Sequence, residues 1–251
     1  MSQATAYSRL AAVYDEIVVD PCYPQWAQYL HALWSSDGEG VSTVLDVCCG
    51  TGLMATELLP LGYSVVGTDA SEAMLARARE LLGKQVELLN ATLPELGTSQ
   101  IFDAAISTFD GLNYLTPESF DMSLSAIAKR VRPGGWLCFD LHTDAMMDFT
   151  LKNAQISGEE QGQFFTIRSD VDPVLRTCNT YIEVTDTNTG GQFTEHHQQY
   201  FHTDDSVRLA LTMAGFTDVV AVEEYSSAPA TADTLRATWI ARKKKLGMPA
   251  Q

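Results

Sequence analysis

Short apolar runs alternate with amphipathic segments between residues 42 and 141. The runs have the length of buried strands, and the segments between them repeat their apolar residues at helical spacing. We predict strands at 42–47, 63–68, 85–90, 101–108 and 135–141, and helices at 51–60, 71–82 and 117–131. Strands that alternate with helices in this way form a mostly parallel sheet with helices on both faces.

The pattern changes after His142. Alternating Thr, Tyr, Phe and Ile residues, joined by turn signals such as Asn188–Gly191, predict antiparallel strands instead of another strand–helix repeat. These strands are 162–170, 178–186 and 192–201. A helix at 203–214 and strands at 217–225 and 234–243 follow. Before the first strand, the spacing of apolar residues predicts helices at 4–16 and 24–34.

The first predicted strand ends at Asp46 and leads through Cys48, Gly50 and Gly52 directly into a helix. Such a turn brings the backbone close to a ligand and points free helix N–H groups at it. The second strand ends at Asp69, 23 positions later (69 − 46). That spacing suits a βαβ unit whose second carboxylate binds a ribose. The turn therefore predicts a nucleoside-type cofactor, and the carboxylate of Asp46 favours a cationic ligand over a pyrophosphate.

Composition limits the partners that the chain can bind. The 251 residues include 32 acidic and 16 basic side chains, which gives a formal net charge of −16. This balance disfavours nucleic acid and anionic membranes, because both are bound mainly through Lys and Arg. The five cysteines match neither a disulfide framework nor a zinc spacing, and no apolar run reaches membrane-spanning length. We expect a cytoplasmic protein without a bound metal, either a monomer or a homodimer.

Four motifs resemble those of the class I S-adenosylmethionine-dependent methyltransferases. They are Leu45-Asp46-x-Cys48-x-Gly50-Thr51-Gly52, Gly67-Thr68-Asp69-Ala70-Ser71-x-x-Met74-Leu75, and the segments 102–115 and 131–140. The match runs from about 41 to 142, in the order and spacing of that family. The resemblance implies an α/β fold with a Rossmann-like seven-stranded, mostly parallel sheet. It also implies S-adenosylmethionine as the cofactor and S-adenosylhomocysteine as its product.

The resemblance further implies a division of the chain. Residues 1–40 would form an N-terminal helical lid, and 41–142 with 203–246 would form the methyltransferase core. Residues 143–202 would be an antiparallel strand insertion that caps the acceptor site, similar to that of small-molecule methyltransferases such as the amino-sugar N-methyltransferases. Because a capped pocket suits a small ligand, we expect methyl transfer to an oxygen or nitrogen of a small molecule.

Cofactor-binding roles follow from the resemblance position by position. Asp46 would hold the methionine amino group, Gly50 and Gly52 would let the backbone approach the cofactor, and Asp69 would accept hydrogen bonds from the ribose. Cys48 stands where the family usually has glycine, and its Cβ predicts a negative φ. The remaining expected cofactor contacts are Tyr14, Trp26, Ala70, Met74, Thr92, Leu93, Thr108 and Phe109.

On the acceptor side, Asp110 and Asn113 would orient the substrate. In-line methyl transfer is accelerated by proximity and alignment, and a general base helps when the acceptor atom carries a proton. The candidate catalytic residues are Tyr14, His142, His196 and His197. His196 and His197 alternate along one predicted strand, so only one of them can face the pocket.

Two other functions stay open. A non-catalytic or regulatory protein of the same fold would bind the cofactor without turnover, because a fold does not guarantee its chemistry. A methyltransferase acting on protein or RNA is the second alternative, and the acidic composition argues against RNA.

Overall fold

The computed structural model of the protein describes residues 6–17, 22–36, 38 and 40–245. The strands are β1 (Thr43–Val47), β2 (Ser64–Asp69), β3 (Glu87–Asn90), β4 (Phe102–Ser107), β5 (Val131–His142), β6 (Gln155–Glu160), β7 (Gln163–Asp172), β8 (Thr177–Asp186), β9 (Gln192–Tyr200), β10 (Phe216–Glu223) and β11 (Arg236–Lys243). The α-helices are α1 (Tyr14–Ile17), α2 (Cys22–Ser35), α3 (Leu53–Leu58), α4 (Glu72–Leu82), α5 (Pro117–Ala128), α6 (Asp144–Lys152) and α7 (Asp204–Met213). Short 3₁₀ helices lie at Leu10–Ala12, Leu59–Leu61 and Gly111–Tyr114.

The central sheet has the strand order β10-β11-β5-β4-β1-β2-β3. Its strands β1 to β5 pair in parallel, whereas β11 is antiparallel to both β5 and β10. The chain moves outward in one direction from β1 to β3 and in the other from β4 to β5. Open α/β sheets bind ligands at the carboxyl ends of strands where the order reverses in this way. The predicted Rossmann-like, seven-stranded, mostly parallel sheet is confirmed.

Helices cover both faces of the central sheet. On one face, α5 and α7 pack against Leu45, Phe139 and Trp239. On the other, α2, α3 and α4 pack against Val44 and Ile106. Successive side chains of a strand point to opposite faces, so the neighbours Val44 and Leu45 contribute to different cores. Each such buried side chain contributes roughly 1.5–3 kcal/mol, and together they hold the carboxyl ends of β1, β2 and β4 in fixed positions.

A second sheet of four antiparallel strands, in the order β6-β7-β8-β9, lies between α6 and α7 in the sequence. The predicted antiparallel insertion after the fifth strand is therefore confirmed. The strand β6 and the preceding helix α6 were not predicted. The sequence of β6, Gln155–Glu160, is largely polar and exposed, so it lacks the apolar alternation that marks a half-buried strand.

The predicted continuous helix at 4–16 is wrong in the part of the chain that the structure describes, which leaves out residues 4 and 5. Residues 6–9 form a turn in which Tyr7 has a φ of 63°. The 3₁₀ helix Leu10–Ala12 and then α1 follow this turn. The carboxylate of Glu195 accepts hydrogen bonds from the N–H groups of Tyr7, Arg9 and Leu10, and thereby sets the helix start at Leu10. The second predicted helix, 24–34, corresponds to α2.

Candidate active site

A cavity of about 220 Å³ lies at the carboxyl ends of β1, β2 and β4. Its walls come from the turns after these strands, from α2, and from the N-terminal segment 6–14. The lining residues are Ala6, Tyr7, Tyr14, Tyr23, Cys48, Cys49, Gly50, Thr51, Leu53, Met54, Asp69, Ala70, Ser71, Met74, Thr108, Phe109, Gly111 and Tyr114.

The turn after β1 is built from left-handed residues. Gly50 has a φ of 55°, and a Cβ added there would meet no atom within 4 Å. Gly52 has a φ of 86°, and its added Cβ would lie 2.6 Å from Leu82 Cδ1, so this glycine serves the packing against α4. Cys48 has a φ of 58°, which contradicts the negative φ predicted for it. A non-glycine residue in this region is strained by about 1 kcal/mol, so tertiary packing holds Cys48 there.

Asp69, at the end of β2, organises the turn after β1 through a direct hydrogen bond. Its two carboxylate oxygens accept hydrogen bonds from Gly50 N at 2.9 Å and from Ser71 N at 2.8 Å. Each oxygen keeps a lone pair for a further donor. Burial raises the pKa of Asp69, and the backbone hydrogen bonds oppose that rise.

Asp46, at the end of β1, is 1% exposed, and neither of its oxygens has a hydrogen-bond partner among the described residues. Burial and the nearby charge of Asp69 raise the pKa of Asp46 to about 8. A buried carboxylate costs folding free energy unless a cation or hydrogen-bond donor meets it. This carboxyl, next to the turn that lines the cavity, fits a cationic amino group on a ligand.

Aromatic rings form part of the lining of the cavity. Tyr7 and Tyr14 meet edge to face with their centroids 5.7 Å apart, and Tyr23 stacks on Phe109 at 5.9 Å. Trp26 lies behind this wall, against Phe109 and Tyr225, and is 2% exposed. Aromatic faces attract cations, so the wall suits a positively charged ligand centre.

A buried ionic cluster supports the wall from behind. Asp140 accepts hydrogen bonds from Phe109 N at 2.8 Å and from Asp110 N at 2.7 Å, which holds both residues at positive φ. Arg236 lies 3.6 Å from Asp140 and 3.5 Å from Asp110, and its guanidinium stacks over Phe109. Burial raises the pKa of Asp140 to about 6, although Arg236 opposes the rise. The same burial lowers the pKa of His142, whose Nε2 is 3.6 Å from Asp110.

Asp110 and Asn113 connect the core to the second sheet. Asp110 accepts a hydrogen bond from Gln199 Nε2 at 2.6 Å. Asn113 is fully buried, donates to Tyr200 O at 2.8 Å, and accepts from His142 N at 3.0 Å. Neither residue lies among those that line the cavity, so the structure shows for both an anchoring contact between β5, β9 and the loop after β4.

The adjacent histidines of β9 point in opposite directions. His197 is 3% exposed and faces the N-terminal segment, with its ring centroid 4.8 Å from that of Tyr7. His196 is on the other face, where it stacks on Tyr181 and contacts Asn179 Oδ1. Among the described residues, no cluster of three or more His, Cys, Asp or Glu side chains could hold a metal ion.

The structure brings eight of the predicted site residues to the cavity: Tyr14, Cys48, Gly50, Asp69, Ala70, Met74, Thr108 and Phe109. The others are absent from its lining: Trp26, Asp46, Gly52, Thr92, Leu93, Asp110, Asn113, His142, His196 and His197. Thr92 is exposed to solvent, and Leu93 packs on the core.

Sequence reasoning missed several residues that line the cavity. Leu53, Met54 and Ser71 directly follow or belong to the predicted motifs, so their spacing could have identified them. Tyr114 lies within the motif segment 102–115, whereas Tyr7 carries no such local signal, because it reaches the cavity only when the N-terminal segment folds over the sheet.

Comparison with known families agrees with this geometry. A family described as a methyltransferase domain matches residues 44–135, the part of the chain that carries the glycine turn, Asp69 and the loop after β4. The chain therefore carries a methyltransferase domain, and its relatives support an enzyme of the class I type that uses S-adenosylmethionine. This confirms the predicted enzyme class and cofactor.

Two curated relatives are similar to this methyltransferase over different lengths. A protein of Geobacillus sp. (strain WCH70), provisionally named a methyltransferase, is 28% identical over 247 residues, which cover 94% of this chain and 99% of the relative. The dTDP-3-amino-3,4,6-trideoxy-alpha-D-glucopyranose N,N-dimethyltransferase of Streptomyces venezuelae is 30% identical over 95 residues, or 38% of this chain and 40% of the relative.

Solved structures share the fold of the methyltransferase. An S-adenosylmethionine-dependent methyltransferase from Clostridium acetobutylicum superposes with a TM-score of 0.84 at 20% identity, covering 96% of this chain and 100% of that one. An amino pentose methyltransferase from Micromonospora echinaspora, solved with S-adenosylmethionine bound, gives a TM-score of 0.70 at 19% identity, covering 97% and 100%. Within the described residues, no helix has both the length and the apolar character required to cross a bilayer.

Proposed function

We propose that the methyltransferase acts on a nitrogen or oxygen of a small molecule bound in the cavity at the carboxyl ends of β1, β2 and β4. The observation that carries this proposal is the lining of the cavity, in which Tyr7, Tyr14 and Tyr114 join the turns after β1 and β2. A pocket bounded by aromatic side chains on several elements suits a small acceptor, whereas a polymer substrate needs an open groove. In this proposal, residues 1–40 act as the lid, 41–142 with 203–246 as the core, and 143–202 as the acceptor cap.

The residues around the glycine turn fit the cofactor. The buried carboxyl of Asp46 would meet the methionine ammonium, and the spare lone pairs of Asp69 would accept the ribose hydroxyls. Gly50 would leave room for the ligand, and Met74 would pack on the adenine ring. When bound, S-adenosylmethionine supplies a methyl group whose bond to sulfur breaks as its bond to the acceptor atom forms, and the sulfur keeps the electron pair.

Within this class, the cavity favours an amine acceptor. The aromatic wall, with Tyr14, Tyr23 and Phe109, favours a cationic product. The Streptomyces relative is named for a dTDP-3-amino sugar and the Micromonospora structure for an amino pentose, and both names support an amine acceptor. The formal net charge of −16 argues against a nucleic-acid substrate.

A pair of glycine substitutions tests the cofactor site. Gly50 and Gly62 both have positive φ, and an added Cβ at either would meet no atom within 4 Å, but only Gly50 lines the cavity. Both alanine variants should therefore lose a similar stability of about 1 kcal/mol. We expect Gly50→Ala to weaken S-adenosylhomocysteine binding at least tenfold, measured by isothermal titration, and Gly62→Ala to leave it unchanged. Equal affinities for the two variants would contradict the assigned site.

A screen of acceptors tests the substrate class. The protein is incubated with S-adenosylmethionine and, separately, a dTDP-3-amino sugar, small primary and secondary amines, and phenols, and S-adenosylhomocysteine formation is measured. We expect turnover with amines above that with phenols. Methyl transfer to a polypeptide or to RNA, with none to any small molecule, would overturn the proposal.

A further inference from the structure

Four side chains form an unbroken hydrogen-bonded series from the second sheet to the cavity. Glu195 Oε2 lies 3.2 Å from His197 Nε2, His197 Nδ1 lies 2.9 Å from the Tyr114 hydroxyl, and that hydroxyl lies 2.7 Å from the hydroxyl of Tyr7. Glu195 and His197 are buried, whereas Tyr7 and Tyr114 line the cavity. We call these four residues the Glu195–Tyr7 relay.

Glu195 is held in its ionised form. Its carboxylate also accepts hydrogen bonds from the backbone N–H groups of Tyr7 and Leu10, each at 2.8 Å, and from that of Arg9. Burial raises the pKa of a carboxyl, but the hydrogen bonds from His197 and these backbone groups outweigh it and lower the pKa of Glu195. An ionised carboxylate can only accept hydrogen bonds.

When His197 is neutral, this fixed acceptor sets the direction of every other hydrogen bond in the relay. Because Glu195 only accepts, Nε2 of His197 carries the proton, and Nδ1 of a neutral imidazole is then an acceptor. Tyr114 must donate to Nδ1, and its own oxygen then accepts from the Tyr7 hydroxyl. The Tyr7 oxygen is left with free lone pairs on the side of the cavity.

We propose that the Tyr7 hydroxyl is the catalytic group that takes the proton lost by the methyl acceptor, and that Tyr114, His197 and Glu195 are positioning residues that carry this proton away. The proposal rests on the proposed function. As the acceptor atom bonds to the methyl carbon, its proton moves to Tyr7 Oη, the Tyr7 proton moves to Tyr114 Oη, and the Tyr114 proton moves to His197 Nδ1. The transfer ends with an imidazolium ion beside the carboxylate of Glu195, so charge and protons balance.

The surroundings of the relay favour an imidazolium ion over a tyrosinate as its end state. Burial raises the pKa of both Tyr7 and Tyr114 well above the ordinary value, and the charge of Asp110 raises each further. The nearby Tyr14 also raises the pKa of Tyr7 and of Tyr114. A proton therefore has to pass through the two hydroxyls to His197, where Glu195 stabilises the resulting charge.

The proton positions in the relay can be observed without any substrate. Long-range ¹H–¹⁵N spectra of the protein with ¹⁵N-labelled histidine, at about pH 7.5, distinguish the two neutral tautomers from imidazolium. The His197→Gln variant assigns the His197 signals, and His196→Gln, which alters the opposite face of the strand, should leave them unchanged. We expect His197 to be neutral with its proton on Nε2, and Glu195→Gln to abolish that preference. A proton on Nδ1, or imidazolium in the free protein, would overturn the relay.

Kinetics then test the role of Tyr7, with the best amine of the acceptor screen as substrate. We expect Tyr7→Phe and His197→Gln to lower kcat at least about 10²-fold, the usual contribution of a general base. The pH profile of kcat should differ between the wild type and His197→Gln, because only the wild type has an ionisable proton acceptor at the end of the relay. S-adenosylhomocysteine affinity should stay within about threefold for His197→Gln, as it should for His196→Gln. If His197→Gln keeps the wild-type pH profile of kcat, or loses S-adenosylhomocysteine affinity as strongly as it loses kcat, the relay has only a structural role.

The two proposals fail in distinguishable ways. If the wild type binds S-adenosylhomocysteine but methylates no small molecule, the substrate class is wrong, and the histidine spectra still decide whether His197 can accept a proton. If an amine is methylated and the His197→Gln variant keeps its rate and pH profile, the relay is wrong and the proposed function stands.

Discussion

At the scale of single residues, Asp46 is a buried carboxyl that costs folding free energy in the free protein and that we propose binds the cofactor. Its carboxyl is 1% exposed, without a partner among the described residues, and burial together with Asp69 raises its pKa to about 8. The native state therefore keeps a proton on Asp46 across a range of pH in which the unfolded chain has lost it. The stability of the free protein should fall as pH rises from about 4 to about 8.

Cofactor binding should release this proton. Because the methionine ammonium favours the ionised carboxylate, we expect release of up to one proton on S-adenosylhomocysteine binding at pH 6.5, where Asp46 is protonated in the free protein. The affinity should rise with pH and level off near pH 8. Titration calorimetry in buffers with different ionisation enthalpies measures the release. The Asp46→Asn variant should release none, and proton uptake by the wild type would contradict this assignment.

At the scale of secondary-structure elements, β11 supplies the cation that lies behind the aromatic wall of the cavity. Its antiparallel pairing with β5 places Arg236 opposite His142 at the end of the strand. From there the guanidinium lies between Asp110, Asp140 and Glu224 and stacks over Phe109. One cation thus compensates three carboxylates and supports the aromatic wall of the cavity.

Removal of this cation should destabilise the protein strongly. We expect Arg236→Met to lower the free energy of unfolding by about 3–5 kcal/mol, because Asp110 and Asp140 stay buried without it. The pKa of Asp140, about 6 beside Arg236, should rise further in the variant. The native state then binds more protons than the unfolded chain, so the loss should be larger at pH 8 than at pH 5.

Urea unfolding at both pH values tests the role of Arg236. Arg168→Met is a matched control, because Arg168 pairs with Glu183 on the exposed face of the second sheet. Its free energy of unfolding should change by at most about 0.5 kcal/mol. A loss for Arg236→Met that is independent of pH would show that packing, and not charge compensation, is the main role of the arginine.

At the scale of the whole molecule, the second sheet holds the N-terminal segment over the cavity. Glu195 on β9 binds the backbone of Tyr7, Arg9 and Leu10, although it lies 188 positions after Tyr7 in the chain. The segment is also attached to the core, because Asp15 accepts a hydrogen bond from Thr51 in the glycine turn. The lining of the cavity is therefore complete only when the N-terminal segment, the core and the second sheet are assembled.

Loss of Glu195 should release the N-terminal segment. In Glu195→Ala the three backbone N–H groups lose their acceptor, each at a cost of about 1–3 kcal/mol where the group stays buried. We expect hydrogen exchange at residues 7–10 to accelerate at least about 10²-fold, while exchange in β1 and β4 changes little. Glu183→Ala, which removes an exposed carboxylate from the same sheet, serves as the control. Unchanged exchange at residues 7–10 would mean that other contacts hold the segment.

The sequence determined most of the fold because its signals are local. Apolar runs and helical spacing identify the strands of the central sheet, and two acidic residues at the carboxyl ends of parallel strands must meet at one edge. Asp46, Gly50 and Asp69 could therefore be located from their spacing alone. The polar strand β6 was not predicted because it has no apolar alternation. The left-handed φ of Cys48 was not predicted because it is imposed by tertiary packing and not by the local sequence.

Only the tertiary structure decided how the acceptor side of the cavity is built. The choice of His197 over His196 depends on which face of β9 turns toward Tyr7, and the helix start at Leu10 depends on Glu195. Arg236 reaches Asp110 across 126 positions of the chain. Hydrogen bonds and ion pairs at such separations leave no periodic pattern in the sequence, because each depends on the assembled sheets. The chain by itself therefore specified the strand ends at the proposed cofactor site, and folding specified the side chains around the proposed acceptor site.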